Sequence, residues 1–305
     1  MNTRGAEHAL DAGSILSAKL SSAHLASFTW NLACTNSRAT EQIMNLELIG
    51  KKALISGSTK GIGFAIASQL AAEGAYVIVN GRSDNAVNSA LQQLCKAVPE
   101  AKVDGFAGDL ATTTATEDLL KRFPAVDILV NNLGVYEPKP FDKISDEDWR
   151  QIFEVNVLSG VRLSRAYISG MKQRNWGRII FISSESAIFT PKEMIHYGMT
   201  KTAQLAVSRG LAEYCGGTGV TVNSILPGPT HTVGVEDFVT QLGGGQSFEA
   251  FEQEFFKSVR PSSLLKRFEA PDEVARLVTF VCSPVASAIN GAALRVDGGV
   301  VSSCF

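Results

Sequence analysis

From Met44 onward, short apolar runs rich in β-formers alternate with stretches whose apolar residues recur at helical spacing. The apolar runs are Lys52 to Ser56, Tyr76 to Asn80, Asp127 to Asn131, Arg178 to Ser183, Val220 to Leu226 and Ala293 to Val296, with a shorter, less apolar one near Val103 to Gly108. Helical periods occupy Ile62 to Glu73, Asp84 to Ala97, Asp146 to Lys172, Tyr197 to Tyr214 and Pro271 to Ser283. Strand followed by helix, repeated, predicts an α/β fold with a doubly wound parallel sheet covered by helices on both faces. No break in composition divides residues 44–305, so they are read as one domain. The alternation pauses only over Pro229 to Phe268, which holds His231, Gly243, Gly244, Gly245, Phe251, Phe255 and Phe256. Glycine flexibility beside aromatic anchors predicts a substrate lid over 229–268.

Residues 1–43 follow a different pattern. They are rich in Ser, Ala and Thr, lack a sustained apolar period, and set Arg4, Lys19 and Arg38 against Glu7, Asp11 and Glu41. The longest uncharged run, Leu20 to Ser37, is too polar to span a bilayer and has no compact apolar core for a secretory signal. An organelle presequence would be rich in Arg and poor in acids, which this stretch is not. It is expected to be a disordered extension, or to lie upstream of a true start at Met44.

Composition removes several classes of function. The chain has 305 residues, 45% of them apolar and 19% charged, and a net charge of -2. Such a chain has no global attraction for phosphate backbones or anionic lipid, and it carries no long Lys/Arg run, so neither a nucleic acid nor a membrane is an expected partner. Five scattered cysteines, Cys34, Cys95, Cys215, Cys282 and Cys304, form no C-x-x-C pair, and the four histidines, His8, His24, His196 and His231, show no ligand spacing. A metal site is not expected, and the thiols read as reduced residues of a cytoplasmic protein.

The first candidate chemistry follows the first apolar run. Ser56-Gly57-Ser58-Thr59-Lys60-Gly61-Ile62-Gly63 leads into a helical period, with glycines spaced G-x-x-x-G-x-G. A turn tight enough to need glycine, a backbone that a pyrophosphate can approach, and free N–H groups at a helix start make a dinucleotide site. Glycines also mark plain turns, but this placement between strand and helix favours the nucleotide.

Cofactor form depends on the end of the second strand, where a carboxylate would bind a ribose 2′-OH and repel a 2′-phosphate. That end reads Val79-Asn80-Gly81-Arg82-Ser83 and has no carboxylate. Arg82 and Lys60 are placed to converge on a phosphate dianion, which favours NADP(H), with NAD(H) as the alternative. The competing reading makes both cations solvated surface charges and leaves Asp84 as a helix cap.

Tyr197 and Lys201 stand four apart on a predicted helix and therefore share a face. A phenol of ordinary pKa about 10 is a poor proton shuttle, and a neighbouring ammonium would lower it, so Lys201 is the expected tuner. Ser184 lies thirteen residues before Tyr197, at the end of a strand, where open α/β sheets bind ligands. Asn156, inside the long helical period, is unremarkable by itself.

These motifs together resemble the short-chain dehydrogenase/reductase family, whose loop reads T-G-x-x-x-G-x-G; Ser56 keeps the hydroxyl of the usual Thr. Asn131-Asn132-Leu133-Gly134, Tyr197-Gly198-Met199-Thr200-Lys201 and Pro227-Gly228 follow in the family's order, with Leu133 standing where the family has Ala. The resemblance covers essentially residues 44–305 and implies a single Rossmann-type domain. It implies Asn156, Ser184, Tyr197 and Lys201 as the catalytic set, with Tyr197 as general acid in carbonyl reduction and Lys201 also holding the nicotinamide ribose. Cofactor contacts are implied at Gly57, Ser58, Lys60, Gly61, Ile62, Gly63, Arg82, Asp109, Leu110, Asn132, Gly134, Tyr197, Lys201, Pro227, Gly228 and Thr232, with Ile225 and Pro227 walling the nicotinamide. Asp109 has a plain alternative as a turn cap.

The expected function is NADP(H)-dependent hydride transfer to or from a small-molecule carbonyl or secondary alcohol. One alternative is reduction of 3-oxoacyl thioesters on an acyl carrier protein, for which Arg162 matches one basic docking position while Thr218 takes the other. A second is an NADPH-binding regulator without turnover. Glu185, Glu193 and His196 are polar neighbours of the reacting centre, suited either to a polar substrate or to loop structure. By resemblance the chain forms a homo-oligomer, a dimer or a tetramer, through the two long helices.

Overall fold

The computed structural model describes residues 44–232, 234–235 and 247–304. The expected extension over 1–43 and the glycines Gly243, Gly244 and Gly245 of the expected lid lie outside the described residues, as do His8, His24 and Cys34. The strands are β1 (Lys52–Ile55), β2 (Tyr76–Gly81), β3 (Lys102–Ala107), β4 (Ile128–Asn131), β5 (Gly177–Ile182), β6 (Val220–Pro227) and β7 (Ala293–Val296). The helices are α1 (Gly61–Ala72), α2 (Asp84–Ala97), α3 (Thr113–Arg122), α4 (Asp146–Phe153), α5 (Ser159–Gln173), α6 (Ile195–Tyr214), α7 (Phe248–Glu254) and α8 (Pro271–Val281). A π-helical turn, Glu154–Leu158, joins α4 to α5, and another, Phe255–Val259, follows α7.

All seven strands pair in parallel in the order β3-β2-β1-β4-β5-β6-β7. Alternate residues along each strand serve opposite faces. Ile55, Val79, Val130, Ile180 and Ile225 pack on one face with Ile66 and Leu70 of α1, Leu94 of α2 and Val274 and Val278 of α8. Leu54, Ile78, Leu129, Ile179 and Val222 pack on the other with Leu119 of α3, Leu163, Tyr167 and Met171 of α5, and Ala212 of α6. Every residue of the central strands β4, β5 and β6 is buried, as two covered faces require. Each fully buried Leu, Ile or Val contributes roughly 1.5–3 kcal/mol, so these two layers hold the sheet between its helices.

Strand order reverses between β1 and β4, and ligands of open α/β sheets bind in the crevice beyond the carboxyl ends of the strands at such a reversal. Helix starts here are set by short polar caps. The side chains of Ser83, Thr112, Ser145 and Ser247 accept N–H groups of α2, α3, α4 and α7, and Ser145 with Asp148 closes a reciprocal box. α1 differs: no side chain caps it and no acid stands in its first turn.

Candidate active site

The turn between β1 and α1 is shaped by glycine where the backbone demands it. Gly57 and Gly61 have positive φ, +62° and +59°, which L side chains rarely adopt. A Cβ on Gly63 would come within 2.5 Å of Asn132 Nδ2 and 2.6 Å of the Gly57 carbonyl. Asn132 ties β4 to this turn by donating to the carbonyls of Ser56 (3.0 Å) and Gly57 (2.9 Å), while Ser56 Oγ accepts the N–H groups of Asn132 and Leu133. Leu133, the departure from the family pattern, packs with its Cδ1 3.4 Å from the Cβ position of Gly57. With its first N–H groups uncapped and free of acidic neighbours, the Gly61-Ile62 start of α1 fits the pyrophosphate of a dinucleotide.

Gly57 and Ser58 shape this turn through Asn80. The N–H of Gly57 donates to Asn80 Oδ1 (3.0 Å) and that of Ser58 to the Asn80 carbonyl (2.8 Å), while Ser58 Oγ donates to the Ile55 carbonyl and accepts the Asn80 N–H. Asn80 Nδ2 continues to the carbonyls of Phe106 and Gly108. One amide therefore fastens β1, β2 and β3 together below the cofactor crevice.

Gly81 and Thr59 are in close apposition, since a Cβ on Gly81 would meet Thr59 Cγ2 at 2.4 Å. The next residue of each segment, Arg82 and Lys60, is exposed and belongs to the same rim. Asp109 accepts the Ala111 N–H (3.0 Å), the turn-capping role, and is exposed. Leu110 is buried in the core beside α3 and α5.

Asn156 sits in the π-helical turn, a local widening of the helix common at functional positions. Its Oδ1 accepts the Val135 N–H (2.8 Å), and its Nδ2 donates to the Val135 carbonyl (2.9 Å) and Thr200 Oγ1 (3.0 Å). Lys201, 4% exposed on α6, donates through Nζ to the Ile182 carbonyl at 2.9 Å. A Cβ on Gly134 would lie 3.5 Å from Lys201 Nζ and 3.6 Å from Asn156 Oδ1, so the β4 loop, the π turn and α6 meet at one point. Lys201 Nζ lies 5.5 Å from the centre of the Tyr197 ring, as four-residue helical spacing requires. Ser184, two residues past β5, donates from Oγ to Glu185 Oε2 (3.1 Å) and accepts the Ser186 N–H (3.1 Å).

Electrostatics here departs from the sequence-based expectation in one respect. Burial, rather than Lys201, dominates the Tyr197 phenol and raises its pKa; the neighbouring Ser184 hydroxyl opposes that rise, Glu185 and Tyr136 add to it, and Arg260 opposes it. Lys201 is itself lowered to about 7 by burial, because desolvation disfavours the ammonium and no carboxylate offsets it. Both groups thus lean toward their neutral forms, and a neutral phenol is the form that donates a proton.

On the other side of the crevice Pro227 ends β6. Gly228 admits no Cβ, which would lie 2.8 Å from Asp297 Cα and from Glu269 Oε1. Thr232 rests on the glycine turn, its Cγ2 3.5 Å from the Cβ position of Gly61. Ile225 is fully buried in the core layer under α1 and α8. In the following segment Phe251, Phe255 and Phe256 converge on Phe268, with ring centroids 5.0 to 6.3 Å away, and His231 stacks on Phe248 at 4.2 Å.

Three residues absent from the sequence-based set belong to this centre. Gln204, 1% exposed, donates from Nε2 to the Asn156 carbonyl at 2.6 Å, with its Oε1 3.5 Å from Lys201 Nζ. Its spacing of three from Lys201 was a usable signal. Tyr136 meets the Tyr197 ring edge-on at 6.1 Å. Arg260 binds Glu185, a pairing across 75 residues that no local pattern announces. Of the other polar neighbours, His196 is buried against Trp149 with its pKa lowered by desolvation, and Arg162 is engaged by Glu154 and the Ala111 carbonyl. Among the described residues no group of His, Cys, Asp or Glu is arranged to hold a metal, and no helix is long and apolar enough to cross a membrane.

A family model described as enoyl-(acyl carrier protein) reductase matches residues 57–301. The chain is 50% identical over 264 residues to the uncharacterized oxidoreductase YvaG of Bacillus subtilis, covering 86% of this chain and 100% of that protein. It is 33% identical over 261 residues to D-beta-hydroxybutyrate dehydrogenase of Cupriavidus necator, covering 84% and 99%. Its fold is similar to that of L-sorbose reductase from Gluconobacter frateurii, solved with NADPH and L-sorbose: the TM-score is 0.80 at 31% identity, over 85% of this chain and 100% of that one. Likeness running from the glycine turn through the last strand decides the matter: the chain belongs to the short-chain dehydrogenase/reductase family, oxidoreductases that act on hydroxyl and carbonyl groups with a nicotinamide cofactor.

Proposed function

We propose that this oxidoreductase is an NADP(H)-dependent reductase of small-molecule ketones and the corresponding secondary alcohols, with Tyr197 as its proton donor. The observation that carries this reading is the meeting of Lys201, Asn156 and Gly134 beside the Tyr197 ring at the open end of the sheet. When bound, the nicotinamide supplies or accepts the hydride. Tyr197, a phenol whose pKa burial raises further and which is therefore protonated at neutral pH, donates its proton to the carbonyl oxygen as charge develops there. Ser184 turns its hydroxyl to the same oxygen, and a single donor of this kind is worth on the order of 10²-fold or more in rate. Lys201, with Asn156 and Gln204 behind it, restores the proton to Tyr197. In oxidation the same residues run in reverse.

Preference for the 2′-phosphorylated cofactor rests on Arg82 and Lys60 at the rim and on the absence of a carboxylate at the end of β2. NADPH is the cofactor of the sorbose reductase neighbour. The segment 229–268 is proposed as the substrate lid, and the enzyme as a homo-oligomer, which light scattering tests. An acyl-carrier substrate is disfavoured because Arg162, the one matching docking cation, is engaged by Glu154 and the Ala111 carbonyl. Steady-state assays with NADPH and NADH against L-sorbose, acetoacetate, ethyl acetoacetate and acetoacetyl thioester test the reading. NADPH-driven turnover of a ketone supports it; a preference for NADH, or for the thioester alone, overturns the respective part.

A further inference from the structure

The side chains of Glu185 and Arg260 are 4% and 6% exposed, and their ion pair lies one residue from Ser184. Arg260 Nε donates to Glu185 Oε1 at 2.9 Å. The other oxygen, Oε2, accepts the Ser184 hydroxyl at 3.1 Å and also that of Ser186. Arg260 follows the π-helical turn Phe255–Val259 and donates from Nη1 to the Val259 carbonyl at 3.1 Å, with Glu193 Oε1 3.5 Å away.

A serine hydroxyl has one hydrogen. While it points at Glu185 it is not available to a substrate oxygen. A buried carboxylate without a counter-charge would hold that hydrogen firmly, since charge-assisted bonds are roughly twice as strong as neutral ones. With the guanidinium on Oε1 and the Ser186 hydroxyl on Oε2, Glu185 remains satisfied when Ser184 turns away. We propose that Arg260 is a positioning residue: by holding the Glu185 carboxylate it frees the Ser184 hydroxyl for the substrate, and so links the segment after α7 to the reacting centre. This rests on the reading of Ser184 as oxyanion donor given above.

Among the described residues Arg260 pairs with Glu185, Glu193 stands against the same guanidinium, and Glu185 acts on the Tyr197 phenol. Arg260→Met removes the guanidinium and leaves the carboxylate buried with its charge. With NADPH and ethyl acetoacetate, kcat is expected to fall at least about tenfold near pH 8, while the Kd for NADPH stays within about twofold. The deficit is expected to shrink toward about pH 6, as the unpaired Glu185 takes up a proton and releases the Ser184 hydrogen. Glu185→Gln combined with Arg260→Met leaves no buried charge and is expected to regain at least about threefold of the lost kcat. A role confined to structure would lower the Tm and move neither the pH profile nor the kcat of the folded enzyme.

A folded Arg260→Met enzyme with the parental kcat and pH profile overturns the proposal. If that variant does not fold, the double variant decides: turnover clearly above that of Ser184→Ala supports the proposal, and turnover at the Ser184→Ala level overturns it. Ser184→Ala also separates the two claims. Parental turnover there removes the oxyanion reading itself, whereas loss there with no effect at Arg260 removes only the positioning role.

Discussion

Lys201 Nζ stands 5.5 Å from the centre of the Tyr197 ring, yet it contributes less to that phenol than burial does. The ammonium is bound to the Ile182 carbonyl and lowered to about 7 by the same low-dielectric surroundings that raise Tyr197. Burial therefore pushes both groups toward their neutral forms.

Lys201→Met tests that environment through stability. The lysine's pKa is lower in the folded chain than in the unfolded one, so its burial penalty is full below about pH 7 and fades as pH rises toward the unfolded value. The Tm of Lys201→Met minus that of the parent is expected to be more positive near pH 6 than near pH 10, measured by thermal melts at both. A constant difference would contradict the buried placement of the ammonium.

Glu269 gives the opposite sign. It is 2% exposed, raised to about 8 mainly by burial, and lies against the Cβ position of Gly228. A carboxyl whose pKa is higher in the folded chain than in the unfolded one costs stability progressively as pH climbs from the lower value to the higher, by about 1.4 kcal/mol per pH unit, and the full penalty persists above. Glu269→Gln is expected to be more stable than the parent above about pH 8, with the gap closing toward about pH 4.5. Denaturant melts across that range check it.

Arg82 and Lys60 carry the cofactor prediction. Arg82→Ala and Lys60→Ala are each expected to raise the KM for NADPH about tenfold, as loss of a charge-assisted phosphate contact should, and to leave the KM for NADH within about twofold. Equal effects on both cofactors would mean that the cations do not meet a 2′-phosphate.

Gly63→Ala tests the cradle. Its methyl group would stand 2.5 Å from Asn132 Nδ2 and 2.9 Å from Ser58 Cα, and backbone at that distance cannot yield cheaply. A loss of about 1–3 kcal/mol of stability and a marked fall in NADPH affinity by fluorescence titration are expected.

Much of this architecture was legible in the chain. β4 is an apolar run ending at Asn131 and β6 an apolar-rich one interrupted by Thr221, Asn223 and Ser224, and the sequence-based spans fall within two residues of the observed ones. α3 was not legible: Thr113–Arg122 buries only Thr116 and Leu119, so it presents too narrow an apolar stripe to register as a period. α7 shares that difficulty, with no buried residue of its own. Tyr197, Lys201 and the glycines announce themselves by local spacing. Arg260 and Glu185 meet only because the chain after α7 returns across the crevice, and Asn80 reveals its role only once three strands lie side by side.

The most direct test of the central claim is Tyr197→Phe, which deletes one hydroxyl and keeps the ring. NADPH is expected to bind with near-parental affinity by fluorescence titration, while kcat for ketone reduction falls by at least about 10²-fold. Parental turnover in that variant would contradict the account.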